Sequence, residues 1–275
     1  AGEQAKSVRS IDRLGAAAIS LGRDATVVAI GGGTIGDVAT VYAHLHKRGC
    51  RLIHVPTTVL AAVDSSVGGK GAVNVAGVKN ALGVFHAPTE GWVCAEFFST
   101  LTRAQMIEGE NEAWKMAVTL NASVWRTWTK ARPTLGAMVQ TSRSLKSEIC
   151  TADPYEQTGR RVILNFGHTF GHVIESLTHY RVRHGAAVGL GMICALDVGA
   201  RLGVTQKVIA DEVEQLLPMA AQSRVRLARI LSKCGSIAEI AELLKSDKKG
   251  STTRATRFVL LKKPGECELA DVPHA

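Results

Sequence analysis

The sequence lacks several features that would each have pointed to a function. Its six cysteines (Cys50, Cys94, Cys150, Cys194, Cys234, Cys267) are scattered, with no C-x-x-C pair. That argues against both a cysteine zinc site and a disulfide framework, and fits a reducing cytoplasmic setting better. No apolar run approaches the roughly 18 to 20 residues that a membrane-spanning helix needs. Aromatic residues make up 5% of the chain. No basic run is interleaved with them and no nucleic-acid module is recognisable, so nucleic acid and membrane are not expected partners. The first residues, AGEQAKS, have neither a starting Met nor a charged-then-apolar signal pattern. They read as the middle of a protein, and an N-terminal segment is expected to precede them.

What is present is a globular composition: 275 residues, 46% hydrophobic, formal net charge +9. The charge is uneven. Residues 1–100 hold nine Lys/Arg against seven Asp/Glu, and residues 101–275 hold 24 against 17. A basic C-terminal part calls for an anionic partner, and a small, highly anionic substrate satisfies it.

The periodicity predicts a helix over 5–22, a strand over 25–30 (ATVVAI), a helix over 35–49 and a strand over 51–56 (RLIHVP). Strand–helix–strand is the unit of a parallel sheet. A glycine-rich loop is expected from Val63 to Gly83. Helices follow over 103–130, 135–149, 167–180, 185–202, 205–217, 223–232 and 236–246, with a closing hairpin around Pro264-Gly265. The fold class read from this is α/β: a parallel-sheet dinucleotide-binding domain over 1–100, then a mainly α-helical metal- and substrate-binding domain over 101–275.

Two loops in the first part have the chemistry of anion binding. AIGGGTIGDVA (29–39) sets Gly31, Gly33 and Gly36 at the spacing G-x-G-x-x-G, between a strand and a helix. Glycines there let backbone N–H groups approach a diphosphate. The acidic ribose reader expected about 20 residues further on is missing, because Arg51 and His54 occupy that strand. PTTVLAAVDSSVGGKGAVN (56–74) gathers Thr57, Thr58, Asp64, Ser65, Ser66 and Lys70 among glycines, and VKNALG adds Lys79 and Asn80. Lysine offers a point charge to phosphate, and small residues let the backbone close on it.

The second part carries metal-ligand chemistry. NFGHTFGH (165–172) places His168 and His172 four apart, on one helical face, and His184 follows in RHGAAVGLGM. ENEAWK places Glu112 and Lys115 three apart. One Glu and two His match a catalytic zinc site with an open position. Spacing alone selects His168 and His172 but does not decide which two of the three histidines bind.

Taken in order, GGGTIGD, VPTTVLAAVDSSVGGK, VKNALGVF, GENEAWK, RVILNFGHTFGH and HGAAVGLGM resemble the 3-dehydroquinate synthases, members of the sugar phosphate cyclases. The likeness runs from GEQAKS to RFVLL. It implies NAD, a divalent metal (Zn2+ or Co2+), a homodimer, and a place in the shikimate pathway of aromatic amino acid biosynthesis. It implies Glu112, His168 and His184 as metal ligands, with His172 facing substrate. Glu3, Lys6, Gly32, Gly33, Asp37, Thr57, Thr58 and Lys79 match cofactor positions. Asp64, Lys70, Asn80, Lys115, Lys146, Arg161, Asn165 and His172 match substrate positions, and Arg48 one that reaches into a neighbouring subunit. One Lys of Lys248-Lys249 matches a further phosphate ligand. The family usually has Glu where this chain has Ala186.

The implied reaction converts 3-deoxy-D-arabino-heptulosonate 7-phosphate to 3-dehydroquinate and phosphate. It runs through transient oxidation by NAD+, phosphate elimination, re-reduction, ring opening and intramolecular aldol closure. Two other readings compete with it: a sugar phosphate cyclase of secondary metabolism, and a non-catalytic NAD- or anion-binding remnant.

Overall fold

The computed structural model describes residues 2–218, 220–246 and 255–273. It divides into two compact units, residues 1–109 with 135–159, and residues 110–134 with 160–275.

In unit 1, a one-turn 3-10 helix at Glu3–Ala5 precedes α1 (Val8–Ala17). The α1 N-terminus is capped by Ser7, whose hydroxyl accepts from the Ser10 N–H. This helix is shorter than the 5–22 expected, because none of its residues is buried and only the capped turns persist. Strand β1 (Thr26–Gly31) leads through α2 (Gly33–Leu45) to β2 (Arg51–Pro56), which pairs parallel with β1 from Thr26↔Arg51 to Gly31↔Pro56. Ala29, Ala39, Ala43, Cys50 and Leu52 form the core between helix and sheet. The chain leaves α2 through Lys47 and Arg48, both in the left-handed region, so the helix stops short of the expected residue 49.

After β2, a π-helical turn at Ala61–Ser65 carries Asp64. The stretch expected to be a loop is instead largely a hairpin of β3 (Lys70–Val75) and β4 (Val78–Phe85), antiparallel with a bulge. The alternation of buried and half-buried residues in KGAVNV is a strand pattern that the glycines obscured. Gly71 is required here: a Cβ would lie 2.4 Å from Thr40 Cβ on α2. The short β5 (Glu90–Gly91) completes a three-stranded sheet in the order β1-β2-β5.

The division between units falls within α3 (Arg103–Leu120). α4 (Ala122–Lys130) follows after a break that Asn121 creates by accepting from the N–H groups of Ser123 and Val124. The single helix expected over 103–130 is therefore two. The side chain of Trp114 packs edge-on against Trp125 and Trp128, with ring centroids 5.6 and 5.4 Å away. α5 (Leu135–Ala152) belongs to unit 1.

Unit 2 continues with α6 (His168–Leu177), α7 (His184–Arg201), α8 (Lys207–Leu216), α9 (Ala220–Cys234) and α10 (Ile237–Ser246). The expected closing hairpin is present as β6 (Ala255–Lys263) and β7 (Glu266–Pro273). α6 and α7 approach at backbone distance. A Cβ on Gly191 would lie 2.1 Å from the Gly167 carbonyl oxygen and 2.7 Å from the Gly171 nitrogen. α7 is locked to α3 by Asn111, which donates to the Gly185 carbonyl at 2.9 Å. Unit 2 holds 21 Lys/Arg against 13 Asp/Glu and unit 1 holds 12 against 11, so unit 2 carries nearly all of the excess charge. No helix of the described residues is long and apolar enough to cross a membrane.

Candidate metal centre and anion-binding loops

Three elements of unit 2 converge on one point. Glu112 sits mid-way along α3, His168 opens α6 and His184 opens α7. One ligand atom from each lies within 4.8 Å of the others. Glu112 Oε1 is 3.7 Å from His168 Nε2 and 3.9 Å from His184 Nε2. His172, one turn along α6, is not in this group, although its ring centroid is 5.8 Å from that of His168.

The hydrogen bonds fix which imidazole nitrogen is available. His168 Nδ1 faces the Phe166 carbonyl at 3.4 Å, and His184 Nδ1 faces Glu175 Oε2 at 3.3 Å. Carbonyl and carboxylate oxygens only accept, so each Nδ1 carries the proton and each Nε2 presents its lone pair toward Glu112. Burial, and then the Lys115 ammonium, push the His168 pKa well below the usual histidine value, which keeps the ring neutral. Glu112 is 0% exposed, and neither of its oxygens accepts a hydrogen bond among the described residues. Its Oε2 instead faces the Lys115 ammonium, itself 1% exposed. A buried carboxylate with one oxygen on Lys115 and the other opposite two imidazole lone pairs has the donor set and the open side of a divalent-metal site. Arg161 is buried and Asn165 and His172 are half-buried, the first two on the 3-10 turn Arg160–Asn165 that precedes α6.

Unit 1 assembles the remaining expected residues into smaller groups. Lys6, 6% exposed, is 2.6 Å from Asp37 Oδ2 and donates to Asn80 Oδ1. Glu3 accepts from Asn74 Nδ2 at 2.8 Å. Burial raises the Asp37 pKa, opposed by Lys6. Gly32 caps α2 without a side-chain bond, and the Gly33 and Thr34 N–H groups have no partner among the described residues. A Cβ on Gly32 would come within 3.2 Å of Thr58, one on Gly33 within 3.1 Å of Ser65, and one on Gly36 within 3.0 Å of His54. Gly36 thus serves helix–strand packing, while the first turn of α2 offers open N–H donors to an anion. Thr57 donates its N–H to the Gly31 carbonyl, at the end of the same strand pair.

Lys146 on α5 reaches Asp64, with Nζ 2.6 Å from both Oδ1 and the Asp64 carbonyl. Lys70 pairs with Glu156 at the surface, and Lys79 and Arg48 are exposed. Lys248 and Lys249 lie outside the described residues. A cavity of about 730 Å3 in unit 1 is lined by Arg143, Ser147 and Tyr155 and, from the expected anion-binding loop, by Ser66 and Gly68.

Two residues escaped the sequence reading. Arg143 donates to the Ala62 carbonyl and Ser66 Oγ, both at 3.0 Å, and so pins the ends of the Asp64 turn. Burial and then this guanidinium lower the His54 pKa to about 4. No sequence pattern marks Arg143. Glu175 did leave a signal, standing seven residues after His168 and hence on the same face of α6.

The two-unit α/β and helical fold with this centre defines a class of enzymes that bind a dinucleotide and a divalent metal. Residues 1–108 match the 3-dehydroquinate synthase N-terminal family model and residues 109–250 the 3-dehydroquinate synthase C-terminal model. The 3-dehydroquinate synthase of Endomicrobium trichonymphae is 37% identical over 276 residues, 97% of this chain and 74% of the relative. A 2-deoxy-scyllo-inosose synthase, solved with carbaglucose-6-phosphate, NAD+ and Co2+, matches with TM-score 0.85 and 27% identity, over 99% of this chain and 78% of that one. The fold is also that of 2-epi-5-epi-valiolone synthase from Streptomyces hygroscopicus, solved with NAD+ and Zn2+, at TM-score 0.85, 21% identity and 100% and 78% coverage. The chain belongs to the 3-dehydroquinate synthase family.

Proposed function

We propose that the chain converts 3-deoxy-D-arabino-heptulosonate 7-phosphate to 3-dehydroquinate and phosphate, as a homodimer that uses NAD and Zn2+ or Co2+. The observation that carries this reading is the grouping of the buried Glu112 carboxylate with the Nε2 lone pairs of His168 and His184. When bound, NAD+ supplies reversible hydride exchange, and the metal supplies Lewis-acid polarisation of substrate oxygens.

The chain's own residues do the positioning. Glu112, His168 and His184 hold the metal, and Lys115 offsets the carboxylate charge beside it. The open N–H groups at the start of α2, with Gly32 and Gly33, receive the dinucleotide phosphates. Glu3, Lys6, Asp37, Thr57, Thr58 and Lys79 complete the cofactor contacts.

Arg161 and Lys146 take the substrate carboxylate, the arginine through its planar fork. Lys70, Asn80, Asn165 and His172 take the phosphate, joined by Arg48 from a second subunit and by Lys248 or Lys249. Asp64 holds the Lys146 ammonium at 2.6 Å, so that its charge is already oriented when substrate arrives. A sugar phosphate that changes shape through several steps needs this kind of fixed, complementary charge more than it needs a strong acid or base.

Phosphate release is measured with the heptulosonate phosphate, NAD+ and Zn2+, with sedoheptulose 7-phosphate and glucose 6-phosphate run in parallel. Turnover of the first substrate alone is expected. Preference for either of the others assigns the chain to a different sugar phosphate cyclase, the reading that the structural likeness to 2-deoxy-scyllo-inosose synthase favours.

A further inference from the structure

We propose that Glu175 is a positioning residue that aims His184 at the metal and sets how tightly the ion is held. The inference rests on reading Glu112, His168 and His184 as metal ligands, and it concerns a residue outside that set.

The three ligands are not held equally. Glu112 is fixed within α3, in a wholly buried stretch. His168 is held by the carbonyl of Phe166, two residues away on the same segment. His184 is the first residue of α7, and its side chain is 37% exposed. It follows a turn in which His179 and Tyr180 both adopt left-handed backbone conformations. Glu175 on α6, buried at 8% exposure, reaches it from the neighbouring helix: its Oε2 meets His184 Nδ1 at 3.3 Å.

That contact does two things. It holds the proton on Nδ1, which leaves Nε2 free to face Glu112 Oε1. It also makes the imidazole a stronger donor, as a carboxylate behind a metal-bound histidine does. Glu175 lies two helical turns beyond His168, so one face of α6 supplies both a ligand and the support for the ligand on its neighbour. The glycine contact between α6 and α7 at Gly167, Gly171 and Gly191 keeps the two helices at the distance this bond needs. Ala186, two residues beyond His184, packs with Ile174, Val182 and Ile230 in an apolar cluster.

The test uses the full chain stripped of metal and titrated with Co2+ against a competing chelator, with the visible absorption of the bound cobalt recorded. Glu175→Ala is expected to weaken Co2+ binding about 10- to 100-fold and to change the cobalt spectrum. Thermal unfolding of the metal-free variant should match that of the unaltered chain. Glu175→Gln keeps an acceptor for Nδ1–H and is expected to lose less affinity than Glu175→Ala. Unchanged affinity and spectrum in both variants would overturn the inference, while loss of Co2+ in His168→Ala would show the metal site itself still stands. Retention of Co2+ by His168→Ala and Glu112→Gln would overturn the metal-site reading, and this inference with it.

Discussion

The two units differ in what faces their buried carboxylates. In unit 1, Lys6 is closed on Asp37 and Lys146 on Asp64, each at 2.6 Å, with further acceptors in Asn80 Oδ1 and the Asp64 carbonyl. These ammonium groups are matched. In unit 2, Glu112 is more deeply buried than either aspartate, yet its two oxygens receive no hydrogen bond among the described residues. One oxygen faces the Lys115 ammonium, and the other faces two imidazole lone pairs that cannot donate. A matched pair is complete as it stands, whereas Glu112 has the Lys115 ammonium on Oε2 alone, and the side where Oε1 meets two lone pairs is complete only with a cation between them. The contrast separates charge oriented for binding from charge reserved for a metal.

The comparison is sharpened most by the histidines. His184→Ala is expected to abolish metal retention and turnover together. His172→Ala, outside the ligand group, should keep the metal and lose roughly 100- to 1,000-fold in turnover, the scale for removing one positioned donor. Elemental analysis beside steady-state rates separates the two, and equal metal loss in both variants would reverse the ligand assignment.

Next in size is Gly191→Ala. Its Cβ meets backbone atoms of Gly167 and Gly171, which cannot yield as a side chain end can. A loss of about 3 kcal/mol in stability is expected, with weaker metal binding because both histidine-bearing helices shift. Denaturant unfolding and cobalt titration of the same sample check both.

In unit 1, His54 is 4% exposed, with its pKa lowered to about 4 from an ordinary 6.5. The unfolded chain therefore binds the proton first, and the contribution from His54 is present above pH 6.5 and lost as pH falls toward 4. The total is about 3 kcal/mol, at 1.36 kcal/mol per pKa unit. Stability measured from pH 7 to pH 4 should fall less steeply in His54→Gln than in the unaltered chain.

The smallest effect is expected from Lys146→Met, which leaves Asp64 without its ammonium. Asp64 keeps 29% exposure, so water compensates in part, and a loss of about 2 kcal/mol is expected. A cost near zero would mean that the pair in unit 1 is no more closed than a surface ion pair.

Much of this arrangement was legible in the sequence. The β1-α2-β2 unit and the helices from α5 onward follow from the apolar pattern: α5 buries one face, at Met138, Val139, Ser142, Leu145, Lys146 and Cys150, whereas α2 over 38–43 and α7 over 185–193 are buried on every side. The β3/β4 hairpin did not show, since Gly71, needed for close packing on Thr40, reads as a loop residue. Nor did the break at Asn121, a cap in the middle of a helical pattern.

At the metal centre, i,i+4 spacing favoured His172 beside His168. That rule sees only one helix. It cannot see that α7 folds back along α6, which brings the His184 ring to 5.3 Å from that of His168. The motif order supplied His184 where spacing did not. Arg143 was invisible because its partners, Ala62 and Ser66, lie some eighty residues away in sequence.

The account turns on Glu112 being a carboxylate set aside for a cation. The most direct test is Co2+ titration of the metal-free chain beside its Glu112→Gln variant, followed by calorimetry and visible absorption. The account predicts one site per chain in the unaltered protein and none in the variant, with both forms folded. Equal binding of Co2+ by the two would contradict it.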